Sequence, residues 1–166
     1  MIVGHVGLAL VGASQRPRVP LTLLVAVSFG PDLVQIALGA SGIGDPGELR
    51  SHALAPAVLW ASGVALLYHL VSRDARAAGL LFLVYLSHLP ADYITGHKPS
   101  WPSGPTIGLG WYAQPILDFT VEALVLLYGY VLWRRTATPH RARTTSILAV
   151  LLLLQLLFDL RRLELL

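Results

Sequence analysis

The stretch "AAGLLFLVYLSHLPADYITGH", residues 77–97, begins as an unbroken apolar run and ends with two histidines and a carboxylate. Its first nineteen residues, 77–95, nearly suffice to cross a bilayer, which takes about 20 apolar residues in a helix. Working outward, comparable runs cover 19–39, 52–72, 114–133 and 145–163, and a shorter one covers 2–14. The segments between them, "SQRPR" (14–18), "ASGIGDPGELR" (40–50), "SRDAR" (72–76), "GHKPSWPSGPTIGLGWY" (96–112) and "RRTATPHRAR" (134–143), are rich in breakers or charge. The pattern predicts an all-α fold: an integral membrane bundle of about six helices, the first short, in one transmembrane domain spanning 1–166. Composition agrees, because 55% of the residues are hydrophobic and only 13% charged, against about 25% in soluble domains.

The 166 residues include no cysteine, so neither a disulfide framework nor a thiolate metal site is available. Any metal must be held by imidazole and carboxylate. The net charge of +3 resides in short loops instead of forming a stripe, which argues for topology and against nucleic-acid binding. "MIVGHVGLALVGASQRPR" (1–18) carries its arginines after the apolar run, unlike a secretory signal, and reads as a retained helix.

Lys and Arg in short loops mark the cytoplasmic side. Arg16, Arg18, Arg73, Arg76, Arg134, Arg135, Arg141 and Arg143 fall in the first, third and fifth loops, whereas 40–50 and 96–112 hold one basic residue each, Arg50 and Lys98. Both termini are therefore expected outside the cytoplasm, with Arg161 and Arg162 arguing mildly the other way.

Four of the nine acidic residues, Asp32, Asp92, Asp118 and Glu122, lie inside or at the edge of apolar runs. Each costs about 2.5 to 3.5 kcal/mol at a helix centre, roughly 10 kcal/mol together, so each should be paired. His5, His52, His88 and His97 are the candidate partners, and on this topology all eight residues meet the extracytoplasmic side. His69 and His140 fall at the opposite side as bystanders. His88 with Asp92, and Asp118 with Glu122, are four residues apart and project from one helix face each. Two such pairs can clamp a cation, and like charges four apart repel without one. Imidazole with carboxylate suits zinc, and manganese or iron less selectively. Eight ligands exceed the four that zinc prefers, so two or three ions are expected.

Each of these residues also has a plain reading: an interhelical hydrogen bond for His5, an interfacial position for His52, a helix-break cap for Asp32 after Pro31, an ion pair for His88 with Asp92, a cap for Asp118, and simple exposure for His97. Convergence on one membrane face favours the metal cluster over the sum of these.

"GH" (4–5), "PD" (31–32), "SHALAPA" (51–57) and "YLSHLPADYITG" (85–96) resemble the bacterial membrane-bound metal-dependent hydrolase family of the LexA-regulated inner-membrane type, over roughly residues 1–112. That family is similar in motif order to the zinc-dependent phospholipase C and P1 nuclease group, all-helical enzymes that hold three zinc ions. The resemblance implies the same eight ligands, His5, Asp32, His52, His88, Asp92, His97, Asp118 and Glu122. The chain departs in having Asp118 where that group has His, "PDLVQ" for "PDxDH" and "ELRSHA" for "GFTHS". It implies a phosphoester hydrolase in the bacterial inner membrane, acting on a phospholipid or lipid-linked phosphate. Asp32 would ligate metal and orient water, and Arg50 and Lys98 would hold the head group. A metal or proton transporter, and a non-catalytic protein stabilised by metal, are the rivals. No H-E-x-x-H motif supports a protease.

Overall fold

A computed structural model describes residues 2–101, 104–136 and 141–164; His140 lies outside the described residues. The chain is mostly helical. Among the described residues eight α-helices run in the order α1 (Val3–Gln15), α2 (Leu21–Ser28), α3 (Gly30–Ala40), α4 (Leu54–Ser72), α5 (Ala75–Leu86), α6 (His88–Thr95), α7 (Pro115–Thr136) and α8 (Arg141–Glu164). Four stretches, Leu54–Ser72, Ala75–Thr95, Pro115–Thr136 and Thr144–Arg162, are long and apolar enough to cross a membrane, and α2 with α3 makes a fifth if counted as one broken span.

Two of the predicted apolar runs are therefore broken, each just ahead of a proline. α2 and α3 meet at Phe29 with a bend of 66°, and Pro31 occupies the first turn of α3, where its missing N–H costs nothing. α5 and α6 part at Ser87, three residues before Pro90, whose ring excludes a regular hydrogen bond to the carbonyl one turn back. Between α6 and α7 the expected loop folds into a two-stranded hairpin, β1 (Lys98–Pro99) antiparallel to β2 (Thr106–Ile107).

α1 lies at the centre, against α2 and α7. Its closest approach is at glycine: a Cβ on Gly7 would sit 2.6 Å from the Val125 carbonyl oxygen, and one on Gly129 would overlap the Gly7 backbone. Such small-residue crossings let apolar helices meet backbone to backbone. One core cluster gathers Leu24, Leu81, Tyr85 and Leu89 between α2, α5 and α6, and another gathers Val3, Leu10 and Leu126 between α1 and α7. α4 buries only Ala57 and Ala61, a narrow stripe four residues apart, while Leu59, Leu66 and Val71 point outward. An apolar exterior of this extent suits a hydrocarbon medium.

Candidate metal centre

The start of α1, the α2–α3 bend, the turn ahead of α4 and the α5–α6 break come together at one end of the bundle, and each delivers a polar side chain. Ligand atoms of Asp32, His52, His88 and Asp92 all lie within 4.8 Å of one another. His52 Nε2 is 3.3 Å from Asp32 Oδ1 and 3.7 Å from Asp92 Oδ2; His88 Nε2 is 3.7 Å and 3.2 Å from the same two atoms. The two Nε2 atoms are 3.3 Å apart. His52 and His88 are fully buried and Asp92 nearly so, whereas the Asp32 side chain is 38% exposed and leaves one side of the group open.

Hydrogen bonds behind the imidazoles assign their tautomers. His88 Nδ1 lies 2.9 Å from the Ser28 carbonyl oxygen, which only accepts, so Nδ1 carries a proton and the neutral ring presents its lone pair at Nε2. Ser51 Oγ donates to the Asp45 carboxylate and lies 2.7 Å from His52 Nδ1, so it accepts from that nitrogen and leaves His52 Nε2 as a lone pair too. Two lone pairs and two carboxylates thus face one small space. Uncompensated, this is a repulsive arrangement; around a divalent cation it is a ligand set. Backing of this kind, imidazole N–H to carbonyl or through hydroxyl to carboxylate, is what orients metal-binding histidines.

His5 adjoins the group. Its ring stacks on that of His88 at 3.9 Å, its edge meets Phe29 at 5.2 Å, and its Nε2 is 3.3 Å from Asp92 Oδ1, the oxygen turned away from His52. Neither His5 nitrogen has a hydrogen-bond partner among the described residues although the side chain is fully buried. Its Nε2 instead faces the Asp92 carboxylate, which ties His5 to the rim of the group.

Of the remaining predicted residues, Lys98 reaches the group and the others lie elsewhere. His97 is exposed beyond α6, its ring packed over Gly110, and is not in the group. Arg50 is spent on its own loop, Nη1 donating to the Ile43 and Gly44 carbonyls at 2.9 and 3.1 Å. Lys98, carried by β1, does reach the site: Nζ is 2.9 Å from Glu48 and 3.4 Å from Asp92 Oδ2. Burial opposes its charge, but Glu48 and Asp92 outweigh this and hold its pKa above the usual lysine range.

Asp118 and Glu122 belong to a second polar cluster. Glu122 accepts from the backbone N–H groups of Ile2 (2.7 Å) and Gly4 (3.0 Å), at the start of the helix that bears His5. Gln155 donates to Glu122 (3.3 Å) and Asp159 (2.9 Å), and Arg162 lies 3.6 Å from Asp118. The compensation that sequence reasoning assigned to a cation is partly supplied here by the free N–H groups and dipole of α1 and by Arg162. Gln155 and Asp159 were missed, as were Ser28, Asp45, Glu48 and Ser51. Gln155 and Asp159 stand four apart inside an apolar run, the same signal that singled out His88 with Asp92.

Comparison with protein-family models, with characterised protein sequences and with solved structures finds no match to this chain.

Proposed function

We propose that the chain is a membrane-embedded, metal-dependent hydrolase of phosphoesters, a member of the membrane-bound hydrolase family it resembles, acting on a phospholipid or lipid-linked phosphate. The observation that carries this is the convergence of the His52 and His88 lone pairs with Asp32 and Asp92 in a space that is buried on three sides and open beside Asp32. The donor set suits zinc, in a nucleus of two or three ions, with manganese or iron as alternatives. A closed shell would suit a purely structural ion, but Asp32 leaves an approach. A transporter needs ligands through the depth of the bundle, and among the described residues such a group occurs only at this end. Arg16, Arg73, Arg76 and Arg134, at helix ends away from the group, outnumber Arg162 beside Asp118, which supports a site facing the extracytoplasmic side of a bacterial inner membrane.

When bound, the metal supplies Lewis acidity, making hydroxide available near neutral pH and neutralising charge on the phosphoryl oxygens. His52 and His88 fix that centre because Ser51 and Ser28 hold their rings. Asp32, on the open side, both ligates and takes the proton of the attacking water. Lys98, held by Glu48 beside Asp92, would offer its ammonium to the phosphoryl group.

The test is hydrolysis in detergent micelles of phosphatidylcholine and phosphatidylglycerol by the zinc-loaded protein, followed as release of water-soluble phosphate ester. Asp32→Asn is expected to lower the rate by about 10² to 10⁴. Turnover by Asp32→Asn equal to the parent, or none by the parent on any lipid phosphoester, contradicts the proposal.

A further inference from the structure

α8 packs mainly on α7 and more lightly on α1, leaving a groove open to the side of the bundle. Its lower part encloses about 450 Å³, and the walls are helical stripes at spacings of three and four: Val6 and Leu10 on α1, Val25 on α2, Leu126 on α7, Leu148 and Leu151 on α8. A second hollow of about 360 Å³ continues it, sharing Val6 and Leu151 and ending at Phe29, Gln155 and Phe158. Phe29 touches His5, so the groove leads from the metal centre toward the arginine end of the bundle.

We infer that this groove holds one acyl chain of a bilayer phospholipid, with the lipid's polar end beside Gln155 and the metal centre. The orientation rests on the hydrolase reading above; occupancy by a chain does not. Three observations argue for this occupant. The lining is mostly apolar, with Thr22, Thr144 and Tyr130 as the hydroxyl side chains of the larger hollow, while helices long and apolar enough to cross a membrane flank the opening. From Thr144 to Phe158 the lining of α8 rises about 20 Å, enough for the chain of one leaflet, which has half of the roughly 30 Å hydrocarbon core. At the metal end stands Gln155, 1% exposed, whose Oε1 has no hydrogen-bond partner among the described residues. A buried acceptor at the head of an apolar groove fits a head group that donates N–H or O–H.

The experiment reconstitutes the full chain into phosphatidylethanolamine–phosphatidylglycerol vesicles that include phosphatidylethanolamine with a photoactivatable diazirine in one acyl chain, and maps crosslinks by mass spectrometry. Labels are expected to concentrate at Val6, Val25, Leu148 and Leu151 over the outward Leu59 and Leu66 of α4. A diazirine near the chain terminus should mark Leu148, and one near the carboxyl should mark Leu154. Leu151→Trp should lose the groove labels and keep those on α4; should that variant misfold, the parent pattern alone decides. Even labelling of groove and α4, or crosslinked dimers joined through groove residues, overturns the inference, and a reversed order of marks overturns the orientation. Metal content is measured on the same preparation. Groove labelling without bound metal would leave chain occupancy standing while the hydrolase reading falls, and bound metal with even labelling would do the reverse.

Discussion

At the scale of single residues, Ser51 decides which nitrogen His52 offers. Replacing it with alanine keeps the volume nearly unchanged but removes both the hydroxyl that accepts from Nδ1 and the link to Asp45. Ser51→Ala should therefore weaken zinc binding about 10- to 100-fold, read by competition with a chromogenic chelator, as for other groups that orient metal-binding histidines. Unchanged affinity would mean that the ring is held by packing alone. Glu122 acts one step further out, by gripping the start of α1 below His5. Glu122→Ala should destabilise the protein by about 3 kcal/mol through the lost hydrogen bonds from Ile2, Gly4 and Gln155, seen as a lower Tm in detergent. His88 and Asp92 were legible in sequence because two polar residues four apart inside an apolar run have few other uses. Asp159 and Gln155 obeyed the same rule but sat in "ILAVLLLLQLLFDL", where the leucines drew the reading toward a lipid-facing helix. Ser51 was not legible at all, since its contact with Asp45 depends on the path of the loop between them.

At the scale of elements, the crossing of α1 and α7 at Gly7 and Gly129 sets how deeply His5 enters the site. Gly129→Val has no room for its side chain and should cost about 1 to 3 kcal/mol, as overpacking does, while also lowering metal occupancy by displacing α1. A variant as stable and as well loaded as the parent would show that α1 is not fixed by this contact. The start of α5 gives a pH prediction. Backbone N–H groups of Ala77 and Arg76 donate to Asp74 Oδ1 at 2.9 and 3.0 Å and hold its carboxyl below the ordinary 3.8. A carboxyl lowered by folding stabilises above its unfolded value and loses that contribution as pH falls through the folded one. Asp74→Ala should thus lower Tm at pH 7, and the difference from the parent should vanish only below about 3.8. A difference that persists there would assign the effect to something other than the charged cap. The prolines behind both helix breaks were visible in sequence, but a bend of 66° was not, because it depends on how α3 meets its neighbours. The hairpin that carries Lys98 was read as loop, its strands being two residues each.

At the scale of the whole molecule, the proposal is that the bundle spans a membrane with its arginine loops in the cytoplasm and the metal centre on the other side. The absence of cysteine allows single-cysteine reporters at exposed serines. In intact cells Ser41→Cys, near the site end, should react with a membrane-impermeant maleimide, while Ser72→Cys, at the other end, should react only after permeabilisation. The reverse pattern would invert the topology. The helical make-up and the apolar spans were readable from hydropathy because it acts on long averages. The separation of Asp118 and Glu122 from the histidine group was not, because placing eight residues at one end of a bundle does not say which of them touch. Whether Asp32, His52, His88 and Asp92 hold metal is measured directly as metal per chain by mass spectrometry in detergent-purified protein, parent beside a His88→Ala, Asp92→Ala double variant. With a metal centre at these residues, two or more equivalents are expected in the parent, zinc foremost, and none retained at this group in the variant. A parent without metal after mild purification and zinc reloading, or a variant that keeps the full complement, would contradict it.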